Sequence, residues 1–386
     1  MKPLTYQRKK ENIIFLLQLF QHSFKTGPKP KFLKSILKDQ NFFSLIKNIF
    51  LLGFAYTELK KFSEFENTWL KNEIEKYLPL YEEQENQNLK IINLLGEISQ
   101  ETKIPFLVLK EYNYKMYSDN FKYYRFSNDV DVVIRKKNLF KIDKKLMEKG
   151  FALKSVGFKL DFQPMLYKDG HMIMHHLSTY GSKNMRKQEI SYGIRSNKYK
   201  NFNYFLPGSN NKEGLLELHF FPNSYCYPKN HLPFTETWKH SYDNKYNLKS
   251  IDPAIRILYD ADHFFLHLRF RHISENGLNT FIGNLKRLCD LGFNLLYEKN
   301  SIDWDKLINI ANKYNISGTA YGYLWLGKKW LNLEIPQNVI DALKKQSNKI
   351  QIKLIHSLNA LNIFQDKRDF KTNLYVKLFL MPMSKN

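Results

Sequence analysis

At residues 125–134 the chain reads Arg125-Phe126-Ser127-Asn128-Asp129-Val130-Asp131-Val132-Val133-Ile134. Successive side chains of a β-strand point to opposite faces, so Asp129 and Asp131 share one face while the valines share the other. Two acids on one face repel each other and lose solvation unless a cation lies between them, and hard oxygen ligands suit Mg²⁺. The pattern predicts a metal site; the alternative is a strand end whose acids face water.

A second strand-like segment, residues 214–221, carries a lone carboxylate, Glu217, in an apolar run. Burying that group without a partner is costly, so a third metal ligand is the natural interpretation. The hypothesis requires three acids from two separate strands to converge. A Glu217 far from the Asp129 and Asp131 pair, or a lysine head group filling the space between the acids, would contradict it.

The ordered set of motifs resembles the polymerase-beta-like nucleotidyltransferase superfamily, and within it the branch of uncharacterised bacterial putative nucleotidyltransferases. The resemblance covers most of the chain and rests on the following pieces: Val108-Leu109-Lys110, Arg125 with Asn128-Asp129-Val130-Asp131-Val132-Val133, Leu139 to Phe151, Glu217-Leu218-His219, and Ser301-Ile302-Asp303-Trp304. It implies an α+β fold, with a small mixed β-sheet nucleotidyltransferase core flanked by N-terminal and C-terminal helical domains.

The resemblance also implies an activity: transfer of a nucleoside monophosphate from an NTP, with ATP favoured, to a hydroxyl acceptor with release of pyrophosphate. Asp129, Asp131 and Glu217 would be the catalytic residues and the ligands of Mg²⁺ or Mn²⁺. The assigned nucleotide-binding residues are Lys110, Arg125 and Ser127; Lys110 and Arg125 would neutralise triphosphate oxygens, and their alternative role is that of exposed charges beside strand ends.

One position departs from the family pattern. The superfamily places Gly-Gly or Gly-Ser in a short turn that lets backbone amides approach the triphosphate, and the closer branch has Lys-Gly. In this sequence Lys110 is followed by Glu111. A carboxylate there would repel phosphate unless it points away or helps to bind metal, which leaves a catalytically degenerate protein as an alternative.

The chain is strongly basic. Its 386 residues include 60 Lys and Arg against 37 Asp and Glu, a formal net charge of +23. Such a charge predicts attraction to polyanions such as RNA. The alternative is an AT-rich genome that raises lysine content without building a groove. The hydrophobic fraction of 43% excludes global disorder.

The two cysteines, Cys226 and Cys289, are far apart in sequence and outside any metal-type spacing. This usage is typical of a reducing compartment, so we expect a cytoplasmic protein. The apolar residues 13–17 follow a basic cluster, but the polar residues Glu11 and Gln18 limit the run and no small-residue cleavage site follows, which argues against a secretory leader. The apolar run 49–56 is too short to span a bilayer, so no membrane span is expected.

Composition changes along the chain predict three domains: an N-terminal helical region at 1–101, the catalytic domain at 102–222, and a C-terminal helical domain at 223–386. Within the catalytic domain we predict five strands, at residues 106–109, 129–134, 151–160, 171–177 and 215–221. The polar segment 178–209 is interpreted as an insertion, either a mobile basic loop over the active site or an ordinary surface loop. A polar, acidic patch at 81–88 is predicted to begin a long helix that ends near Glu101.

In the C-terminal part, Asp252-Pro253 predicts a helix start, and the helix is expected to run to about Arg271. His263 and His267 stand four residues apart on it, but a zinc-protease glutamate and a third ligand are missing, so packing or a phosphate contact is favoured over metal. Asp290 is interpreted as a structural acid that bridges to a neighbouring basic residue.

Two hypotheses therefore stand: a metal-dependent nucleotidyltransferase, and a catalytically degenerate protein of the same fold that binds RNA or another polyanion. A kinase or Walker-type hydrolase is disfavoured because neither signature is present. The residues leave the acceptor open among RNA, protein and small molecules, and they do not select the nucleotide or the oligomeric state.

Overall fold

The structure is a computed structural model of the chain. It describes residues 6–30, 35–110, 112, 126–127, 129–158, 199–207, 213–219, 232–270, 277–349, 352–353 and 355–356. Arg125, Glu111 and Cys226, together with the predicted strand at 171–177, lie outside these residues.

The described residues form eleven α-helices and seven strands. The helices are α1 (Tyr6–Ser23), α2 (Gln40–Asn48), α3 (Leu52–Leu59), α4 (Trp69–Thr102), α5 (Leu139–Glu148), α6 (Phe234–Lys239), α7 (Pro253–Phe270), α8 (Gly277–Glu298), α9 (Trp304–Lys313), α10 (Ser317–Leu331) and α11 (Gln337–Gln346). The strands are β1 (Leu107–Val108), β2 (Asp129–Val133), β3 (Ala152–Phe158), β4 (Tyr199–Pro207), β5 (Glu213–His219), β6 (Ser241–Asp243) and β7 (Lys249–Ile251). The α+β class, with a small mixed sheet flanked by helices, is confirmed.

The strands form one sheet in the order β3-β4-β5-β2-β1-β7-β6. The neighbours β5 and β2 run parallel, as do β1 and β7, while the remaining pairs are antiparallel. Parallel neighbours place the same ends of their strands together. The first acid-bearing strand, β2, therefore lies beside β5, the strand that carries Glu217.

The prediction for the 178–209 segment was wrong in part, because Tyr199–Pro207 form strand β4 between β3 and β5. This strand reads Tyr-Lys-Asn-Phe-Asn-Tyr-Phe-Leu-Pro. Its aromatic residues favour a strand, but the lysine and asparagines dilute that signal. Strands β6 and β7 were also missed; they are three residues each, too short to show a periodic pattern.

The two faces of the sheet pack against different helices. On one face Val130, Val132, Leu216 and Leu218 belong to a core with the C-terminal half of α4 and the apolar side of α5. On the other face, Leu107, Leu109 and Val133 join a larger core built from N-terminal and C-terminal helices together. The acids of β2 alternate with Val130 and Val132, so they point toward this second, helical side.

Helix α4 begins earlier than predicted. It starts at Trp69, where Thr68 accepts a hydrogen bond from the backbone N–H of Lys71 at 3.2 Å, and it continues through Pro79. The helix ends at Thr102, close to the predicted end, and Lys103 follows in the left-handed conformation with φ 57°. The polar patch at 81–88 lies inside this helix instead of at its start.

Helix α7 begins as predicted. The Asp252 carboxylate accepts a hydrogen bond from the backbone N–H of Ala254 at 3.0 Å, and Pro253 occupies the first turn. Helix α9 is capped in the same way by Asp303, which accepts from the N–H of Lys306 at 2.8 Å. Among the described residues, no helix combines the length and the apolar character that crossing a bilayer requires. The three-domain division stays a prediction, and β6 and β7 extend the sheet beyond residue 222.

Candidate metal centre

The parallel pairing of β2 and β5 brings the predicted acids together. Asp131 lies directly opposite Glu217 in the register, and Val133 lies opposite His219. Side chains of paired residues on parallel strands point to the same face, so Asp131, Glu217 and His219 project from one side of the sheet. One ligand atom from each of these three residues lies within 4.8 Å of the others. Glu217 therefore lies close to Asp131, whereas Asp129, the other predicted ligand, is not a member of this group.

Asp129 is held by the segment that precedes β2. The hydroxyl of Ser127 donates to Oδ1 of Asp129 at 3.0 Å, and the backbone carbonyl of Ser127 accepts from the side-chain amide of Asn88 at 2.9 Å. Asn88 is fully buried on α4. Ser127, assigned from sequence to nucleotide binding, thus contacts a predicted metal ligand in this structure, and its role in binding nucleotide stays a prediction.

Asp131 is the most buried of the three predicted acids and the most heavily contacted. The ammonium nitrogen of Lys110 lies 2.6 Å from its Oδ1 atom, and Nε2 of His219 lies 2.9 Å from the same atom. The residue is 1% exposed, and within the described part of the chain its Oδ2 atom has no hydrogen-bond partner. A buried carboxylate oxygen without a partner costs free energy, and it is the kind of atom that a cation would satisfy.

Lys110 lies in a strained turn at the end of β1. Its backbone is left-handed, with φ 54°, a conformation that a residue with a Cβ adopts at a cost of about 1 kcal/mol. Burial lowers the pKa of the Lys110 ammonium, but the charges of Asp131, Asp129 and Glu217 outweigh burial and raise it well above its usual range. Lys110 was predicted to neutralise triphosphate oxygens, but here its ammonium lies 2.6 Å from Oδ1 of Asp131. A lysine head group among the acids is the arrangement that we expected to contradict the metal hypothesis, and at Asp131 that condition is met.

His219 was missed as a site residue in the sequence. Burial lowers the pKa of its imidazole, but the charge of nearby Glu217 and the hydrogen bond to Asp131 raise it to about 9. The Glu217 Oε2 atom lies 3.6 Å from Nε2 of His219. Its position two residues after Glu217 on the same strand was the available signal, because alternate residues share a face.

The donor set fits a divalent cation. Asp131, Glu217 and His219 supply two carboxylates and one imidazole, and Asp131 Oδ2 is buried and without a partner in the described residues. Carboxylate oxygens suit Mg²⁺ and Mn²⁺, whereas His219, whose pKa is raised, would have to lose a proton before its imidazole could serve as a third ligand. The Lys110 ammonium contacts the same carboxylate, however, so a cation on Asp131 has to share that group with Lys110 or displace it.

This arrangement predicts a specific behaviour of Lys110→Met. Removing the ammonium deprives Asp131 and Glu217 of one of the positive charges beside them and leaves the imidazole of His219, which we expect to lower the free energy of unfolding by about 2–3 kcal/mol in EDTA. A divalent cation would replace the lost charge, so Mn²⁺ should restore more stability to Lys110→Met than it adds to the wild type. Chemical denaturation with and without Mn²⁺ measures both. Equal Mn²⁺ effects in the two proteins would contradict a metal site at Asp131.

The histidine pair of α7 does not join this centre in the described residues. The ring of His263 packs 5.9 Å from the ring of Tyr259, and the metal-capable group of Asp131, Glu217 and His219 does not include it. The side chain of His267 is outside the described residues. Packing, the interpretation favoured from sequence, agrees with the position of His263.

The structure thus combines a mixed sheet, backed by helices, with two carboxylates that face each other across parallel neighbours. The chain matches the model of a family described as uncharacterised nucleotidyltransferase over residues 38–332, well over half of its length. It belongs to this family, as the sequence motifs predicted. No curated protein and no solved structure matches the chain.

Proposed function

We propose that the protein is a divalent-metal-dependent enzyme that transfers a nucleoside monophosphate from an NTP to a hydroxyl acceptor. The observation that carries this proposal is the register of β2 and β5, which sets Asp131 opposite Glu217 on the face that also bears Asp129. Family membership supports the general activity. The metal, the acceptor and the nucleotide belong to the proposal.

In the proposed reaction the acceptor oxygen forms a bond to the α-phosphorus, the bond to the bridging oxygen breaks, and pyrophosphate leaves. Asp129, Asp131 and Glu217 would hold the metal ions. When bound, a divalent cation would neutralise triphosphate charge and acidify the attacking hydroxyl. Glu217 is the most accessible of the metal-capable group, with a side chain 22% exposed. It is therefore our candidate to accept the hydroxyl proton.

The proposed nucleotide contacts are Lys110, Ser127 and Arg125, with ATP as the favoured NTP. Lys110 is pre-positioned at the acids, and its Nζ atom is 2.6 Å from Asp131. Once a cation binds Asp131, repulsion between the two positive charges favours movement of the ammonium toward the phosphates. The strained turn at Lys110 would let that side chain change its direction with a small backbone change.

The experiment that tests the proposal uses the full chain, each of the four radiolabelled NTPs, and whole-cell extract as a source of acceptors. With Mg²⁺ or Mn²⁺ we expect label to enter one acceptor class, RNA, protein or small molecule, with release of pyrophosphate. With EDTA the incorporation should fall to background, because the acids then have no cation to hold. Transfer that persists at full rate in EDTA would overturn the metal-dependent mechanism.

A second candidate function is a catalytically degenerate protein that binds RNA or another polyanion. The contact of Lys110 with Asp131 favours it, since a resident ammonium already balances the acids, and the net charge of +23 supplies attraction to polyanions. This candidate predicts tight RNA binding whose affinity falls steeply with salt, and no nucleotide incorporation under any metal condition. Filter binding across a salt series, beside the incorporation assay, separates the two.

The remaining assignments are also proposals. We place the catalytic domain at residues 102–222 between helical domains at 1–101 and 223–386. We propose a cytoplasmic location from the cysteine usage of the sequence. Cys289, the cysteine that lies within the described residues, is buried on α8.

A further inference from the structure

One face of helix α4 carries side chains that contact the chain next to the predicted metal ligands. Tyr81, Glu85 and Asn88 lie four and then three residues apart on this helix, so they share that face. Glu85 and Asn88 are buried, with 3% and 0% of their surfaces exposed. Burying polar side chains costs free energy unless they form hydrogen bonds, so their partners indicate what this part of the polar patch at 81–88 does.

Asn88 is linked to Asp129 by two hydrogen bonds in series. Its side-chain amide donates to the backbone carbonyl of Ser127 at 2.9 Å, and the Ser127 hydroxyl donates to Oδ1 of Asp129 at 3.0 Å. The side-chain oxygen of Asn88 in turn accepts from the amide of Gln84 at 3.3 Å, one turn earlier on α4. Both polar atoms of the Asn88 side chain are therefore engaged, which fixes the direction of the amide that holds Ser127.

Two further residues on the same face of α4 make contacts near the acids. The ring of Tyr81 stacks on the ring of Phe126 with centres 4.3 Å apart, and the N–H of Phe126 donates to the carbonyl of Phe50 at 3.3 Å. The hydroxyl of Tyr112, which follows the turn at the end of β1, donates to the carboxylate of Glu85 at 3.3 Å. This face of α4 therefore contacts both the segment that enters β2 and the chain that follows β1.

Asp129 is the predicted ligand that needs such contacts most, because the sheet holds it from one side. It is the first residue of β2 and pairs with β5, whereas β1 pairs with β2 only at Val132 and Val133. Asp131 pairs with β5 as well, and its backbone carbonyl also accepts from the N–H of Leu109 at 2.9 Å. Strand ends open more readily than strand centres, so the position of Asp129 depends on contacts outside the sheet.

We propose that Asn88 is a positioning residue of the metal centre, which holds the Asp129 carboxylate in place through the backbone of Ser127. The inference rests on the proposed nucleotidyltransferase function and deepens it by assigning a residue of α4 that touches none of the acids. Asp129 lies outside the group of three residues whose ligand atoms are within 4.8 Å of one another. A cation shared with that group therefore requires the Asp129 carboxylate to be held, and ligands held in advance bind metal more tightly.

A purely structural role is the competing explanation. In that case the Asn88 amide would only satisfy a buried carbonyl, and its loss would lower stability without changing metal affinity. A control variant that loses the same kind of buried hydrogen bond elsewhere in the chain separates the two roles. Asn12 offers that control, since it is 3% exposed and its Nδ2 atom donates to Oδ2 of Asp39 at 3.0 Å.

The experiment is calorimetric titration of the full chain with Mn²⁺. We expect Asn88→Leu to bind Mn²⁺ about tenfold or more weakly than the wild type, the scale on which metal affinity falls when a residue that orients a ligand is lost. Asn12→Leu also replaces a buried amide donor by an apolar side chain, but it should retain wild-type Mn²⁺ affinity. The comparison removes the contribution of stability, because both variants lose one buried hydrogen bond.

A second measurement follows the held segment without metal. In EDTA, peptides that cover residues 126–131 should exchange their backbone hydrogens about fivefold faster in Asn88→Leu, the effect of one lost hydrogen bond. Exchange of the same peptides should be unchanged in Asn12→Leu. A general loss of stability would speed this exchange in both variants, so the difference between them reports the contact of Asn88 with Ser127.

The proposal would be wrong if Asn88→Leu kept wild-type Mn²⁺ affinity or wild-type exchange, or if Asn12→Leu lost as much affinity. If Asn88→Leu does not fold, Ser127→Ala takes its place, because it removes the second hydrogen bond of the series; an unchanged affinity there counts against the proposal. A wild type that binds no Mn²⁺ would overturn both the inference and the metal-dependent mechanism. A protein whose Mn²⁺ affinity depends on Asn88 but which transfers no label would retain the positioned ligand and lack only the reaction.

Discussion

The Asp129→Asn, Asp131→Asn double variant is expected to lose nucleotide transfer by about a thousandfold or more, while remaining folded. Both changes keep side-chain volume and remove the charge that holds a divalent cation. Loss of a single preorganised electrostatic group at a reaction centre costs about 10²–10³ in rate, and this variant removes two ligands. The measurement is initial-rate incorporation of labelled nucleotide in Mg²⁺ and in Mn²⁺.

The double variant also changes the metal-free protein in a way that can be checked. Lys110 loses the charge of its partner Asp131, whose Oδ1 atom is 2.6 Å from the ammonium, so the raised pKa of Lys110 should fall. The control is Asp243→Asn, an exposed acid whose Oδ2 atom is 2.8 Å from the ammonium of Lys249 on the neighbouring strand. It should leave transfer unchanged. Full transfer by the double variant would show that the catalytic assignment is wrong.

The second large effect is expected from Arg256→Met, which should lower the free energy of unfolding by about 3–5 kcal/mol. Arg256 lies on α7, is fully buried, and contacts the carboxylate of Glu298 on α8. Its Nε atom also donates to Oδ1 of Asn294 at 2.9 Å. Methionine fills much of the volume but leaves Glu298 buried without that charge, and removal of one partner from a buried ion pair is the costly change.

Two further variants isolate this pair. In Arg256→Met with Glu298→Gln, the uncompensated carboxylate is absent, so a substantial part of the lost stability should return. Lys299→Met breaks an exposed pair, since Lys299 and its partner Glu334 are 56% and 77% exposed; it should cost less than about 1 kcal/mol. Urea unfolding supplies all three values. A cost for Arg256→Met as small as that of Lys299→Met would mean that the buried pair does not hold α7 against α8.

Much of the local structure could be predicted from short segments. The alternation in residues 129–133 identified strand β2 and the face that carries its acids, and the Asp252-Pro253 cap located the start of α7. These features depend on backbone periodicity and on hydrogen bonds within one helical turn. The residues that encode them are neighbours in sequence, so no knowledge of the rest of the fold was required.

Other features escaped prediction because their signals are weak or distant. The sequence signal for strand β4 is weakened by its lysine and asparagines. Strands β6 and β7 are stabilised by pairing with the rest of the sheet instead of by their own composition. The long helix α4 runs through Pro79, a residue that usually ends or kinks a helix, which concealed its true start. In each of these cases, tertiary packing outweighed local preference.

The shared face of the β2 acids and the lone carboxylate of β5 could be predicted from the sequence, because side-chain direction in a strand repeats every two residues. The contact between the two strands could not be predicted, since Asp131 and His219 are 88 residues apart in sequence and come together through pairing across the sheet. The pairing of β1 with β2 also brought Lys110 onto Asp131. Pairing register and helix docking depend on contacts between distant segments, and only the folded chain supplies those contacts.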